Sequence, residues 1–213
     1  FNSSRPLEAI NMNKLSDKIV GRKLLRGLNL SVRKSTVERG CGVIGVACTI
    51  PVKGKHLLQS LLQMHNRGNG KGGGIAAVGL SPKQLGVSKK ILAEYYIMQV
   101  AYLDSKCKRR VEEEFVNPYF TIELAEKIPT LRDYRSTGLE VKPPTVWRYF
   151  VKVDEDVLSE FIERNNLEDL DPCRAEDEFV YRNSFALNKK YYASLREKKA
   201  FVVSHGKDMI VLK

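Results

Sequence analysis

Cysteine and histidine are scarce in this chain, and their spacing excludes several kinds of chemistry. Four cysteines (Cys41, Cys48, Cys107, Cys173) stand far apart in 213 residues and none forms a CxxC pair. That is too sparse for a disulfide scaffold. With only His56, His65 and His205 beside them, no metal-ligand spacing arises. The sequence also lacks any apolar run near the roughly 18 residues of a membrane span. The start, Phe1-Asn2-Ser3-Ser4, shows no basic segment leading into an apolar core, so no secretory signal is read there. A reducing cytoplasm, with free thiols, is the expected setting, and no membrane partner is expected. What the chain does have, 43% hydrophobic and 29% charged residues, is the composition of a globular protein large enough for one generous domain or two small ones.

Charge is lopsided. Residues 1–40 carry nine basic and three acidic side chains, a net +6 of the total +11. Downstream the signs interleave, as in Lys106–Arg110 followed by Glu112–Glu114, a pattern of solvated surface. No nucleic-acid-binding motif accompanies the charge, so nucleic acid is not an expected partner.

The basic leader ends at Glu38-Arg39-Gly40, where the sequence changes character. Gly42 to Ile50 is a short, apolar, partly β-branched run that predicts a buried strand, ended by Pro51. His56–His65 places Leu57, Leu58, Leu61, Leu62 and His65 on one helical face. Asn66–Gly74 holds five glycines in nine residues and predicts an irregular loop, followed by a strand over Ile75–Leu80. Ile91–Leu103 is apolar and fits either a long strand or a helix. Thr145–Val153 predicts a strand and Asp154 an N-cap for a helix over Glu155–Asn165. Ala200–Ser204 and Met209–Lys213 predict a hairpin across His205–Asp208, with His205 facing solvent. Cys48 is read as a core residue; Cys107, in a charged stretch, and Cys173, after Asp171-Pro172, are read as exposed. The glycine-rich loop lacks the Gly-x4-Gly-Lys-Ser/Thr order of a P-loop.

A Cys-Gly pair opening an apolar strand carries a specific chemical possibility. Once the peptide bond before Cys41 is broken, one residue holds a thiol and a free α-amine, with unperturbed pKa values of about 8.5 and 8. The amine can then take the thiol proton, so nucleophile and general base come from the same residue. Gly42 leaves room for a substrate to approach the backbone.

Cys41-Gly-Val-Ile-Gly-Val, Pro51, a helix ending at His65, then Arg67-Gly68, Gly74 and Ile75-Ala76 resemble the opening of class II glutamine amidotransferases. The variant His65-Asn66-Arg67-Gly68-Asn69-Gly70-Lys71-Gly72-Gly73-Gly74 most resembles the stand-alone amidotransferase subunit of archaeal-type glutamate synthases, a branch similar in carrying an insertion after the second strand. The resemblance implies an α+β fold of the Ntn-hydrolase αββα sandwich type with an α+β insertion. It implies hydrolysis of glutamine to glutamate and ammonia by Cys41, with Arg67 and Gly68 shaping the substrate pocket. It also implies removal of the leader and an ammonia-consuming glutamate synthase partner that carries FMN and iron–sulfur groups, with no cofactor on this chain.

The expected division is a leader over 1–40, the first part of the amidotransferase domain over 41–90, an insertion over 91–195 and return strands over 196–213. The aspartate that the family places after Arg-Gly is replaced here by glycine or lysine, according to alignment. The family's downstream His-Thr-Arg segment does not occur, and the sole Asn-Gly, Asn69-Gly70, lies in the Arg-Gly loop. The carboxylate-binding and oxyanion segments are therefore expected beyond Lys213. Two other readings stay open: an Ntn hydrolase acting on a different amide, and a non-catalytic interaction domain that keeps the fold and its leader.

Overall fold

A computed structural model describes residues 42–62, 64, 73–130, 132–137, 142–194 and 197–212. All of them fall in the compact unit Cys41–Lys213. The fold is mixed α+β with antiparallel sheets. Its elements are α1 (Lys55–Leu62), β1 (Ile75–Val78), α2 (Pro82–Leu85), α3 (Lys89–Glu94), β2 (Tyr96–Tyr102), α4 (Lys108–Phe115), β3 (Phe120–Lys127), β4 (Thr145–Val153), α5 (Glu155–Asn165), α6 (Pro172–Tyr191), β5 (Ala200–Ser204) and β6 (Met209–Leu212).

Four strands form one sheet in the order β3-β4-β2-β5, every neighbouring pair antiparallel. With α4 between β2 and β3, and α5 and α6 between β4 and β5, this is the split βαβ arrangement. Central strand β2 is buried at all seven positions. Its alternation explains how. Tyr96, Met98, Val100 and Tyr102 join Val111 of α4 and Val180, Leu187 and Tyr191 of α6 in the larger core. Ile97 points the other way and meets Phe150, Leu85 of α2 and Leu92 of α3 in a second core that Ile210 of β6 also covers. A sheet with both faces covered needs apolar side chains on both, hence the nearly unbroken Tyr-Ile-Met-Gln-Val-Ala-Tyr. Gln99, its one strongly polar residue, donates from Nε2 to Ser204 Oγ (3.0 Å) and to the Val211 carbonyl (2.7 Å).

Local signals set several boundaries. Asp154 caps α5 by accepting from the backbone of Asp156 and Val157, and Asn166 ends the helix in the left-handed region at φ 52°. Asp171 caps α6, Pro172 occupies its first turn and Lys189 and Lys190 its last, where cations favour the helix dipole. The ambiguous stretch 91–103 is both things in succession. Ser88 caps a short helix that stops at Tyr95, and the strand begins at Tyr96. The strand at Thr145–Val153 and the helix at Glu155–Asn165 form with the expected bounds.

Other expectations are corrected. Residues 42–50 form no strand; Val43 is 86% exposed and Ile50 70%. Among the described residues this segment pairs with no strand, and β-structure requires a partner. Cys48 is accordingly exposed rather than core. Strands β5 and β6 are not a hairpin: β5 pairs with β2, whereas β6 pairs with β1 in a separate two-stranded sheet, Ile75 opposite Leu212 and Val78 opposite Met209. The intervening loop carries the chain from one sheet to the other. Cys107 is buried, not exposed, because a 3-10 turn over Ser105–Cys107 leads into α4 and directs its thiol to donate to the Asp104 carbonyl at 3.0 Å. Burial pushes that thiol's pKa up. Cys173 is exposed, as expected.

Candidate functional site

Cys41, Arg67 and Gly68, the three residues singled out from the sequence, lie outside the described residues, as does His65. The described residues flanking them are Gly42, Met64 and Gly73. Helix α1 starts with backbone bonds from His56 to Lys53 and from Leu57 to Gly54. Past its end, Met64 donates to the Leu61 carbonyl at 2.9 Å, continuing the turn. Gly42 comes directly against that turn: a β-carbon placed on it would lie 2.8 Å from the Met64 Cβ and 2.9 Å from its sulfur. No side chain fits there, so glycine at 42 is a condition of the close approach. The residue after Cys41 thus stands beside a residue three positions before Arg67.

A second constellation lies along helix α6 and was not legible from the sequence. Arg174, Asp177, Glu178 and Tyr181 of this helix, with Tyr96, His205 and Gly206, line a cleft of about 390 Å³. The loop at 205–208 forms its far wall and is tied to three neighbours. The Gly206 carbonyl accepts from the Ile97 amide at 2.8 Å. Lys207 Nζ is 2.7 Å from the Glu176 carboxylate, whose side chain is 8% exposed. Asp208, in the left-handed region at φ 49°, accepts from the Leu80 amide at 2.8 Å. Tyr96 donates to Asp177 Oδ1 at 2.6 Å, and the Lys207 ammonium lies 4.7 Å from the centre of the Tyr96 ring. Burial, together with the bond to Asp177, pushes the Tyr96 hydroxyl's pKa far above the ordinary tyrosine value, so it stays a donor. His205 is half-buried rather than solvent-facing. Burial lowers its pKa, and the Asp177 charge only partly opposes this.

The cleft continues into a second hollow of about 300 Å³, sharing Tyr181 and His205 and lined further on by Ser184, Phe185, Met209 and Val211. Ser184 Oγ is buried there without a hydrogen-bond partner. The one clue in the sequence was Asp171-Pro172, a helix start, followed by Arg, Asp, Glu and Tyr at spacings that share a face. Among the described residues, no group of three or more His, Cys, Asp or Glu side chains could hold a metal ion, and no helix is long and apolar enough to cross a membrane.

No protein-family model matches this chain, and no solved structure matches it significantly. Over 184 residues, 83% of its length, it is 31% identical to an uncharacterized protein of Archaeoglobus fulgidus, and the match covers 39% of that protein.

Proposed function

We propose that this chain is the glutaminase part of a class II glutamine amidotransferase of the glutamate synthase type, with Cys41 as N-terminal nucleophile after removal of residues 1–40. The observation that carries this reading is the approach of Gly42 to Met64, which brings the residue after Cys41 against the turn that follows helix α1. The element order supports it: a helix at Lys55–Leu62, then a strand at Ile75–Val78. In this reading the α-amine of Cys41 takes the thiol proton and the thiolate attacks the side-chain amide carbon of glutamine. The C–N bond breaks, ammonia leaves with the transferred proton, and water hydrolyses the γ-glutamyl thioester. Arg67 and Gly68 shape the glutamine pocket.

The ammonia passes, in the cytoplasm, to a synthase partner carrying FMN and iron–sulfur groups. The two-stranded β1–β6 sheet would be one part of an αββα sandwich that further polypeptide completes. In favour of that, a two-stranded ladder is marginal by itself, and Val43, Val46, Ile50, Val52 and Val78 all stand exposed. The same exposed residues favour, as a second reading, an interaction domain without catalysis.

Intact mass of the full chain, before and after 6-diazo-5-oxo-norleucine, separates the two. A mature N-terminus at Cys41 bearing a single adduct is the expected result. An uncut leader with no adduct removes the catalytic reading and leaves the interaction domain.

A further inference from the structure

Arg174 is the uncommitted cation of the α6 cleft. Carboxylates three and four residues on, at ion-pair spacing, are both engaged elsewhere: Asp177 Oδ1 accepts from Tyr96, and Glu178 Oε1 accepts from Arg182 Nε at 2.7 Å. Among the described residues nothing bonds to the Arg174 guanidinium, which keeps its full set of N–H donors. Each of the two carboxylates keeps a second oxygen free to accept. His205, lowered by burial, adds no charge at neutral pH.

The cleft therefore presents one free cation beside two half-engaged anions. A simple anion would meet Asp177 and Glu178; a simple cation would meet Arg174. A molecule that carries an ammonium and a carboxylate on one carbon suits all three. The adjoining hollow adds an apolar requirement, since Tyr181 and Phe185, one helical turn apart, are 56% and 59% exposed, with Met209 and Val211 opposite. The wall at 205–208 is fixed by its bonds to Ile97, Glu176 and Leu80, so little ordering cost opposes binding.

We propose that this cleft binds a free α-amino acid with a large apolar side chain, its carboxylate on Arg174, its ammonium at Asp177 and Glu178, and its side chain along Tyr181 and Phe185. This site is independent of Cys41 and of the glutaminase reading. Binding is measured by ligand-observed NMR and titration calorimetry on the 213-residue chain with L-phenylalanine, L-leucine, phenylacetate and phenethylamine. The expected result is a Kd of about 1 mM or tighter for at least one of the two amino acids. The two half-ligands, each with a single charge, bind about tenfold more weakly or worse. Arg174→Ala, at an exposed position that does not disturb the fold, weakens the amino acid about tenfold or more, and Cys41→Ala leaves it unchanged. Absence of amino-acid binding at about 10 mM overturns the proposal. So does equal binding of phenylacetate or phenethylamine, or unchanged affinity in Arg174→Ala.

Discussion

Two stretches of almost equal apolar character end in opposite environments. Tyr96–Tyr102 is buried at every position, whereas Val43, Val46 and Ile50 of the run Gly42–Ile50 are exposed. Strand β2 has a strand on each side, β4 and β5, and a core on each face. The earlier run has no strand partner among the described residues. An apolar, β-branched sequence is thus permission to form a strand; neighbours decide whether one forms. The split βαβ unit holds the larger core, while the proposed chemistry belongs to the segment before it.

The largest expected effect tests that segment. Gly42→Ala forces a β-carbon into Met64 and, if the close approach organises the nucleophile, lowers the proposed glutaminase activity of the assembled amidotransferase about 100-fold, as ångström-scale misplacement does. The companion Met64→Gly substitution restores part of it in a steady-state ammonia assay. On stability the contrast reverses. Phe150→Ala removes a fully buried ring and costs about 3–5 kcal/mol in denaturant unfolding. Val46→Ala, at a position 54% exposed, stays within about 0.5 kcal/mol of the parent. Comparable losses for both variants would mean that 42–50 is buried in solution. Asp154→Ala removes the two hydrogen bonds that its carboxylate accepts from the Asp156 and Val157 amides and costs about 1 kcal/mol by the same unfolding measurement.

The smallest effect is a pH dependence. His205 has a lowered folded-state pKa because it is buried, so the folded protein disfavours its protonated form. Its contribution to stability is complete above the ordinary histidine value of 6.5. That contribution is lost as pH falls below this value toward the folded pKa. Melting temperatures of the parent and of His205→Gln should therefore diverge between neutral pH and about pH 5, with the parent falling more steeply. Parallel curves would place His205 in solvent, as its sequence neighbourhood of Gly206, Lys207 and Asp208 had suggested.

Elements whose ends carry their own chemistry were legible in the sequence. Asp154 before Glu155–Asn165 announced both the helix and its first residue, because capping is a local bond between a side chain and amides two and three positions on. Thr145–Val153 was legible because Val146, Trp147, Tyr149, Phe150, Val151 and Val153 are all β-branched or aromatic. Arg174, Asp177 and His205 were not, since no local pattern tells a helix face that borders a cleft from one that borders water. Nor was the separation of β5 from β6: two strands four residues apart satisfy every local rule for a hairpin. Gln99, 105 residues from Ser204 and 112 from Val211, binds each of them where the two sheets meet.

By itself the sequence determined the Asp154 cap, the helix it starts and the strand before it, and the Cys41–Gly42 and Arg67–Gly68 pattern on which the glutaminase reading rests. These depend on residues a few positions apart. Tertiary structure alone decided which strands pair, that Cys107 is buried and Cys48 is not, and that Arg174 is left uncommitted beside the loop at 205–208. Each of those outcomes depends on competition among groups far apart in the chain, and local propensity does not encode that competition.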